Sequence, residues 1–293
     1  MATKRLRLFP RSQRSTKNAL ACVRRRLAIL TMMMVAALIT GAGSGCQNDG
    51  QQHWAHALFE HFAPASPEQV VREALDPYDA DQRHRAVSQL AAAPFGGEGP
   101  YVRLYRLLTS DEDAAVRAAA AKALGMHGEV EDAELLTPLL NDEQSFVRWE
   151  AAKALQRIHH PAAVGPLIRT VRDDADTDVR MAAAHALGQY PEPGVLDVLI
   201  GALNDREFSV VNAAHESLTT LTGTDQGIDS RQWLAWSRDN RGERFANRKP
   251  YRFHPYDPPP SLVERMRFWS KHSGPEPRTP VGLDETESGD DAT

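Results

Sequence analysis

The chain has 293 residues, with 34 Lys and Arg against 39 Asp and Glu and a net charge of −5 with His neutral. That length can bury a sizeable core, and a net negative charge excludes nucleic-acid binding carried by bulk basicity. Two cysteines in such a length exclude a disulfide-stapled scaffold.

Residues 1–45 hold nine of the basic residues and no acid. Arg24-Arg25-Arg26 precede an apolar run from Leu27 to Ile39, and small residues follow. Basic, apolar and small stretches in that order describe a secretory signal peptide. The run is shorter than the roughly 20 residues of a comfortable membrane span. Gly43-Ser44-Gly45 ahead of Cys46 resembles a bacterial lipoprotein processing site, with Gly43 where Leu is usual. On this reading 1–45 is removed, Cys46 is lipidated, and the chain is anchored on the extracytoplasmic side of a bacterial envelope. An uncleaved anchor and a cleaved leader without lipid are the competing readings. Cys22 leaves with the leader, so no internal disulfide forms. Without the leader 25 basic residues face 39 acids, a net charge of −14, which argues further against a nucleic-acid partner.

Residues 46–66 read as a lipid-anchored tether and a leading helix. Gln47 to Gln52 are polar, and Trp54, Leu58 and Phe62 fall on one face of a helix over 53–62. His53, His56 and Glu60 share another face, where a metal set is weighed against solvated histidines on a capping helix, and the capping helix is preferred. Pro64 and Pro67 mark the boundary.

From 67 to 223 the chain repeats itself. Asp111 leads to Val116-Arg117, an alanine run and Leu124; Asp142 leads to Val147-Arg148 and Leu155; Asp174 leads to Val179-Arg180 and Leu187. Asp205 leads to Val210-Val211 and Leu218, and Asp79 stands six residues before Arg85. A period of 31 or 32 residues marks a solenoid, whose units bury their apolar faces only against neighbours. Each unit reads as two helices. The first carries Leu135, Leu136, Leu139 and Leu140, then Val164, Leu167, Ile168 and Val171, then Val195, Leu199, Ile200 and Leu203 at helical spacing. The second opens at a capping Asp, Ser or Thr and turns Ala and Leu to one side.

These residues resemble the HEAT repeat family, in the short bacterial form of phycobilin lyases. The resemblance implies an all-α, right-handed α-α superhelix of about five two-helix repeats with helical caps. It also implies a ladder, in which Asp79, Asp111, Asp142, Asp174 and Asp205 sit in turns and Arg85, Arg117, Arg148 and Arg180 bond to neighbouring units. Val211 stands where the last Arg is expected, and Ala92 where the first unit needs Leu.

No catalytic residue, cofactor or metal is expected. Asp174, Asp176 and Asp178 resemble the start of a calcium loop, but Val179 replaces the required Gly and His185 the bidentate Glu. Deoxyhypusine hydroxylases, which are HEAT-like, hold iron with His-Glu pairs just after the Arg position. Here those positions read Ala118-Ala119, Trp149-Glu150, Met181-Ala182 and Asn212-Ala213, and His215-Glu216 lies three residues late. A HEAT-like metalloenzyme or tetrapyrrole lyase is therefore the disfavoured alternative. The preferred reading is a protein-binding scaffold with no activity of its own. If the second helices line the concave side, Ala118 with Lys122, Trp149 with Lys153, Met181 with His185, and Asn212 with Glu216 form a row facing a protein partner. Trp149 packing only against its neighbouring unit is the competing reading.

Residues 224–273 read as a capping segment, with Trp233 and Trp236 on a short helix, and an extended arm. The arm runs through Tyr251 to Tyr256 and Pro258-Pro259-Pro260, with a last helix over 262–269. The acidic stretch 274–293 reads as a disordered tail.

Overall fold

Short polar side chains start the helices. Ser66 accepts from the Gln69 amide while the Gln69 side chain accepts from the Ser66 amide, a reciprocal cap on α1 (Pro67–Ala74). Asp79, Asp113 and Asp176 cap α2 (Ala80–Ala92), α4 (Ala114–His127) and α8 (Thr177–Leu187). Between them lie α3 (Gly99–Leu108), α5 (Ala133–Leu139), α6 (Ser145–Leu155) and α7 (Val164–Asp173). The set continues with α9 (Pro193–Ala202), α10 (Phe208–Thr222) and α11 (Ser230–Asp239). This computed structural model describes residues 66–255 and 276–283. The leader, Cys46, the 53–62 segment, the 262–269 helix and most of the acidic stretch lie outside them. Among the described residues the protein is an all-α solenoid with two isolated β-bridges, and no helix is long and apolar enough to cross a membrane.

Five pairs, α1–α2 through α9–α10, form the repeats. Each second helix buries an Ala and, four residues on, a Leu: Ala86 and Leu90, Ala120 and Leu124, Ala151 and Leu155, Ala183 and Leu187, Ala214 and Leu218. A buried Leu is worth about 1.5–3 kcal/mol, and small Ala side chains bring neighbouring backbones together. The approach is close enough that a Cβ on Gly125 would sit 2.9 Å from the Ala154 Cα. Successive second helices pack on each other far more than successive first helices do, so the second helices line the inner, concave side. In the first helices Leu136, Leu139 and Leu140 turn inward, whereas Leu135 is exposed.

The repeats are clamped by arginine. Arg117 Nε and Nη2 reach both carboxylate oxygens of Asp142 at 2.8 and 3.0 Å, while its Nη1 donates to the Asp111 carbonyl at 2.9 Å. Arg148 holds Asp174 and the Asp142 carbonyl in the same way, and Arg180 holds Asp205 and the Asp174 carbonyl. Each clamped Asp also accepts a backbone amide two residues on, at Asp113, Gln144, Asp176 and Glu207. Burial opposes ionisation of Asp142 and Asp205, but the guanidinium and amide hydrogen bonds win and hold both carboxyls below the usual carboxylate range.

The first rung differs from the sequence expectation. Arg83, and not Arg85, clamps Asp111, at 3.0 and 2.8 Å, and its Nη1 donates to the Asp76 carbonyl. Asp79 is the helix cap, and Arg85 is turned outward, donating to the Asp81 carbonyl. The turn of the first repeat is one residue longer, which places its Arg seven residues after the turn Asp instead of six. Asp205 ends the ladder, because Val211 offers no guanidinium.

Beyond Gly223, whose φ of 70° suits glycine, α11 packs on α9 with Trp233 buried and Trp236 against it edge-on. Residues 249–255 then run back along the repeats, as Lys249 donates to the Thr220 carbonyl and Tyr251 to the His185 carbonyl. Residues 276–283 depart from the expected disorder. Val281 donates to the Arg157 carbonyl and accepts from the His159 amide, both at 2.8 Å, and Arg278 bridges Phe253. Backbone hydrogen bonds hold this strip, which its polar composition does not reveal.

Asp174→Ala strands the buried Arg148 guanidinium and is expected to cost about 3–5 kcal/mol, whereas Arg85→Ala stays within about 0.5 kcal/mol. Urea unfolding followed by circular dichroism measures both, and equal losses would put Arg85 back in the ladder.

Candidate concave binding face

The expected row assembles on the inner face. Trp149 and Lys153 on α6 stand one turn apart, with the Lys153 ammonium 5.1 Å from the indole centroid. Met181 and His185 follow on α8, Asn212 and Glu216 on α10. Trp149 and Met181 are half-buried against the core, so both competing readings of Trp149 hold part of the truth: it packs, and it leaves a surface. Asn212 donates to Glu216 at 2.7 Å, and the His185 ring nitrogen lies 3.9 Å from the other Glu216 oxygen. Ala118 is buried and Lys122 is half-buried at the start of the row.

Two residues the sequence reading passed over complete the site. Glu150 and Arg157 share the α6 side of Lys153, three residues before it and four after, a helical spacing that could have revealed them. Burial raises the Glu150 pKa, although the charges of Lys122, Lys153 and Arg157 all oppose this. Burial lowers that of Lys153, and the Arg157 charge adds to it. The Arg157 guanidinium lies 5.7 Å over the Phe253 ring of the returning arm. No sequence signal placed that ring there.

The remaining polar candidates are occupied within the fold. His215 pairs with Asp225 at 2.7 Å. Asp174 and Asp176 serve the ladder and a helix cap. Among the described residues no three His, Cys, Asp or Glu side chains converge as a metal set.

His185 reports on this face. Burial lowers its pKa from the ordinary 6.5, Glu216 raises it and the Lys153 charge lowers it further. The ring is expected to titrate below 6.5 in an NMR titration. Lys153→Gln moves the midpoint up by removing a cation, and Glu216→Gln moves it down. A midpoint unmoved by either change would place the ring beyond reach of both charges.

The family of HEAT repeats matches residues 68–156 and 136–219. The uncharacterized phycocyanin operon protein Z of Pseudanabaena tenuis is 34% identical over 139 residues, covering 44% of this chain and 67% of that protein. Among solved structures, a designed armadillo repeat protein aligns with a TM-score of 0.46 at 18% identity, over 59% of this chain and 90% of its own. Another, in complex with the peptide (KR)4, aligns with a TM-score of 0.46 at 19% identity, over 59% and 88%. With the matches spanning all five helix pairs, the chain belongs to the family of HEAT repeats.

Proposed function

We propose that this protein is an exported, lipid-anchored scaffold whose concave face binds another protein, and that it performs no chemistry of its own. One observation carries the binding half. Trp149 and Met181 stand half-buried in a single row with Lys153, His185, Asn212 and Glu216, contributed by three consecutive repeats. Large, adaptable side chains held by rigid helices on a partly open face are the material of interface hot spots. The export half is supported by the basic, apolar and small-residue order of 1–45 and by Cys46 behind Gly43-Ser44-Gly45. A diacylated Cys supplies the more than one chain that stable anchoring requires.

Crosslinking and affinity capture from native membranes test both halves. The wild type is expected to sediment with membranes and retain one defined partner. A Trp149→Ala, Met181→Ala variant of equal helicity stays on the membrane but loses that partner by about 2 kcal/mol or more, roughly thirtyfold in affinity. Cys46→Ala moves the protein to the soluble fraction. The same proteins captured by wild type and double variant would overturn the binding half, and Cys46→Ala remaining on membranes would overturn the anchor.

A further inference from the structure

We infer that the concave face takes an acidic peptide segment, whose carboxylates are received by Lys122, Lys153 and Arg157 beside Trp149; this rests on the scaffold reading above. The charge count at the site is the first observation. Glu150, Lys153 and Arg157 lie along one side of α6, and Lys122 joins them from α4 of the preceding repeat. The charges of all three cations fall on the one carboxylate of Glu150. Glu216, the other acid of the row, is hydrogen-bonded by Asn212 and faced by His185. The local balance is therefore positive in a chain whose net charge is −5.

The way the cations are held is the second observation. Every ladder arginine meets its own carboxylate through two nitrogens. Arg157, only 8% exposed, instead lies over the Phe253 ring, and its Nε has no hydrogen-bond partner among the described residues. Lys153 is placed by the Trp149 ring. Aromatic faces fix the position of a cation without neutralising it. A buried donor without a partner is costly and rare in folded proteins, and a carboxylate from outside offers a guanidinium the charged acceptor that suits it best.

The site's extent favours a peptide. Its polar and apolar positions run across neighbouring second helices, whose axes lie roughly 8–10 Å apart, a distance that an extended chain covers in about three residues. Three cations around an acid suit one or two carboxylates, whereas a nucleic-acid backbone needs a longer basic track.

The full chain is titrated, at about 50 mM salt, into a fluorescein-labelled peptide of eight glutamates and into its eight-glutamine counterpart, with anisotropy as the readout. The glutamate peptide is expected to bind roughly tenfold or more tightly than the glutamine one, a difference of about 1.4 kcal/mol, and to weaken as salt rises to about 300 mM. Lys122→Gln with Lys153→Gln, at exposed ends of the site and with helicity checked, is expected to remove that preference. Arg157→Lys keeps the buried charge but loses the fork, and is expected to weaken binding severalfold. The titration is repeated on a form carrying Asp284→Asn, Glu285→Gln, Glu287→Gln, Asp290→Asn and Asp291→Asn, in which the chain's own acids cannot compete. Equal binding of the two peptides, or binding of neither in both forms, overturns the inference. A native partner lost by Trp149→Ala with Met181→Ala but kept by Lys122→Gln with Lys153→Gln would leave the scaffold reading standing and remove the acidic-ligand one.

Discussion

The clamp between an arginine and the aspartate of the next repeat sets the geometry on which the rest depends. One guanidinium does three things. It closes its own turn through a backbone carbonyl, grips the following repeat through two parallel hydrogen bonds, and fixes an Asp whose free lone pair starts the next second helix. Burial charges a desolvation penalty against each such pair, which the attraction roughly returns. The net free energy of the solenoid therefore comes from the buried Ala and Leu rows, while the clamp fixes the step from one repeat to the next. Atypical ends follow from the same logic: at Val211 the ladder stops, and a Trp-bearing helix packs on the last pair.

A constant step has a functional consequence. Equivalent positions of successive second helices fall into rows, so side chains that differ from repeat to repeat line up on one face. Where the ladder repeats Arg, the inner row reads Ala118, Trp149, Met181 and Asn212. The scaffold is uniform and the face is not. The returning arm adds to the contrast, because Tyr251 and Phe253 close the edge of the face near His185 and Arg157. Charges held there are half-buried, beside rings, with fewer partners than the ladder gives its own.

The solenoid was legible because periodicity is a property of the whole chain and survives local error. One such error occurred at the first rung. Asp79 and Arg85 match the repeat's spacing by coincidence, whereas Arg83 is the residue followed by Ala three and Leu seven positions on, as Arg117, Arg148 and Arg180 are. Reading the buried positions instead of the charged ones would have found it, since packing tolerates less variation than a turn. The row of Trp149, Lys153, Met181, His185, Asn212 and Glu216 was legible for the same reason as the fold. Glu150 and Arg157 matter through an unequal charge count across two helices and an arm, which linear spacing does not carry. The 276–283 strip was hidden because main-chain atoms hold it, and every residue but proline has the same main chain.

The measurement closest to the central claim places a photoreactive side chain at Met181 on the inner face, or at the exposed Arg169 on α7, in cells that make the protein at its normal level. The account predicts one discrete adduct from position 181 and none from 169. Adducts from 169 alone, or the same adducts from both positions, would contradict it and move the binding surface off the concave side.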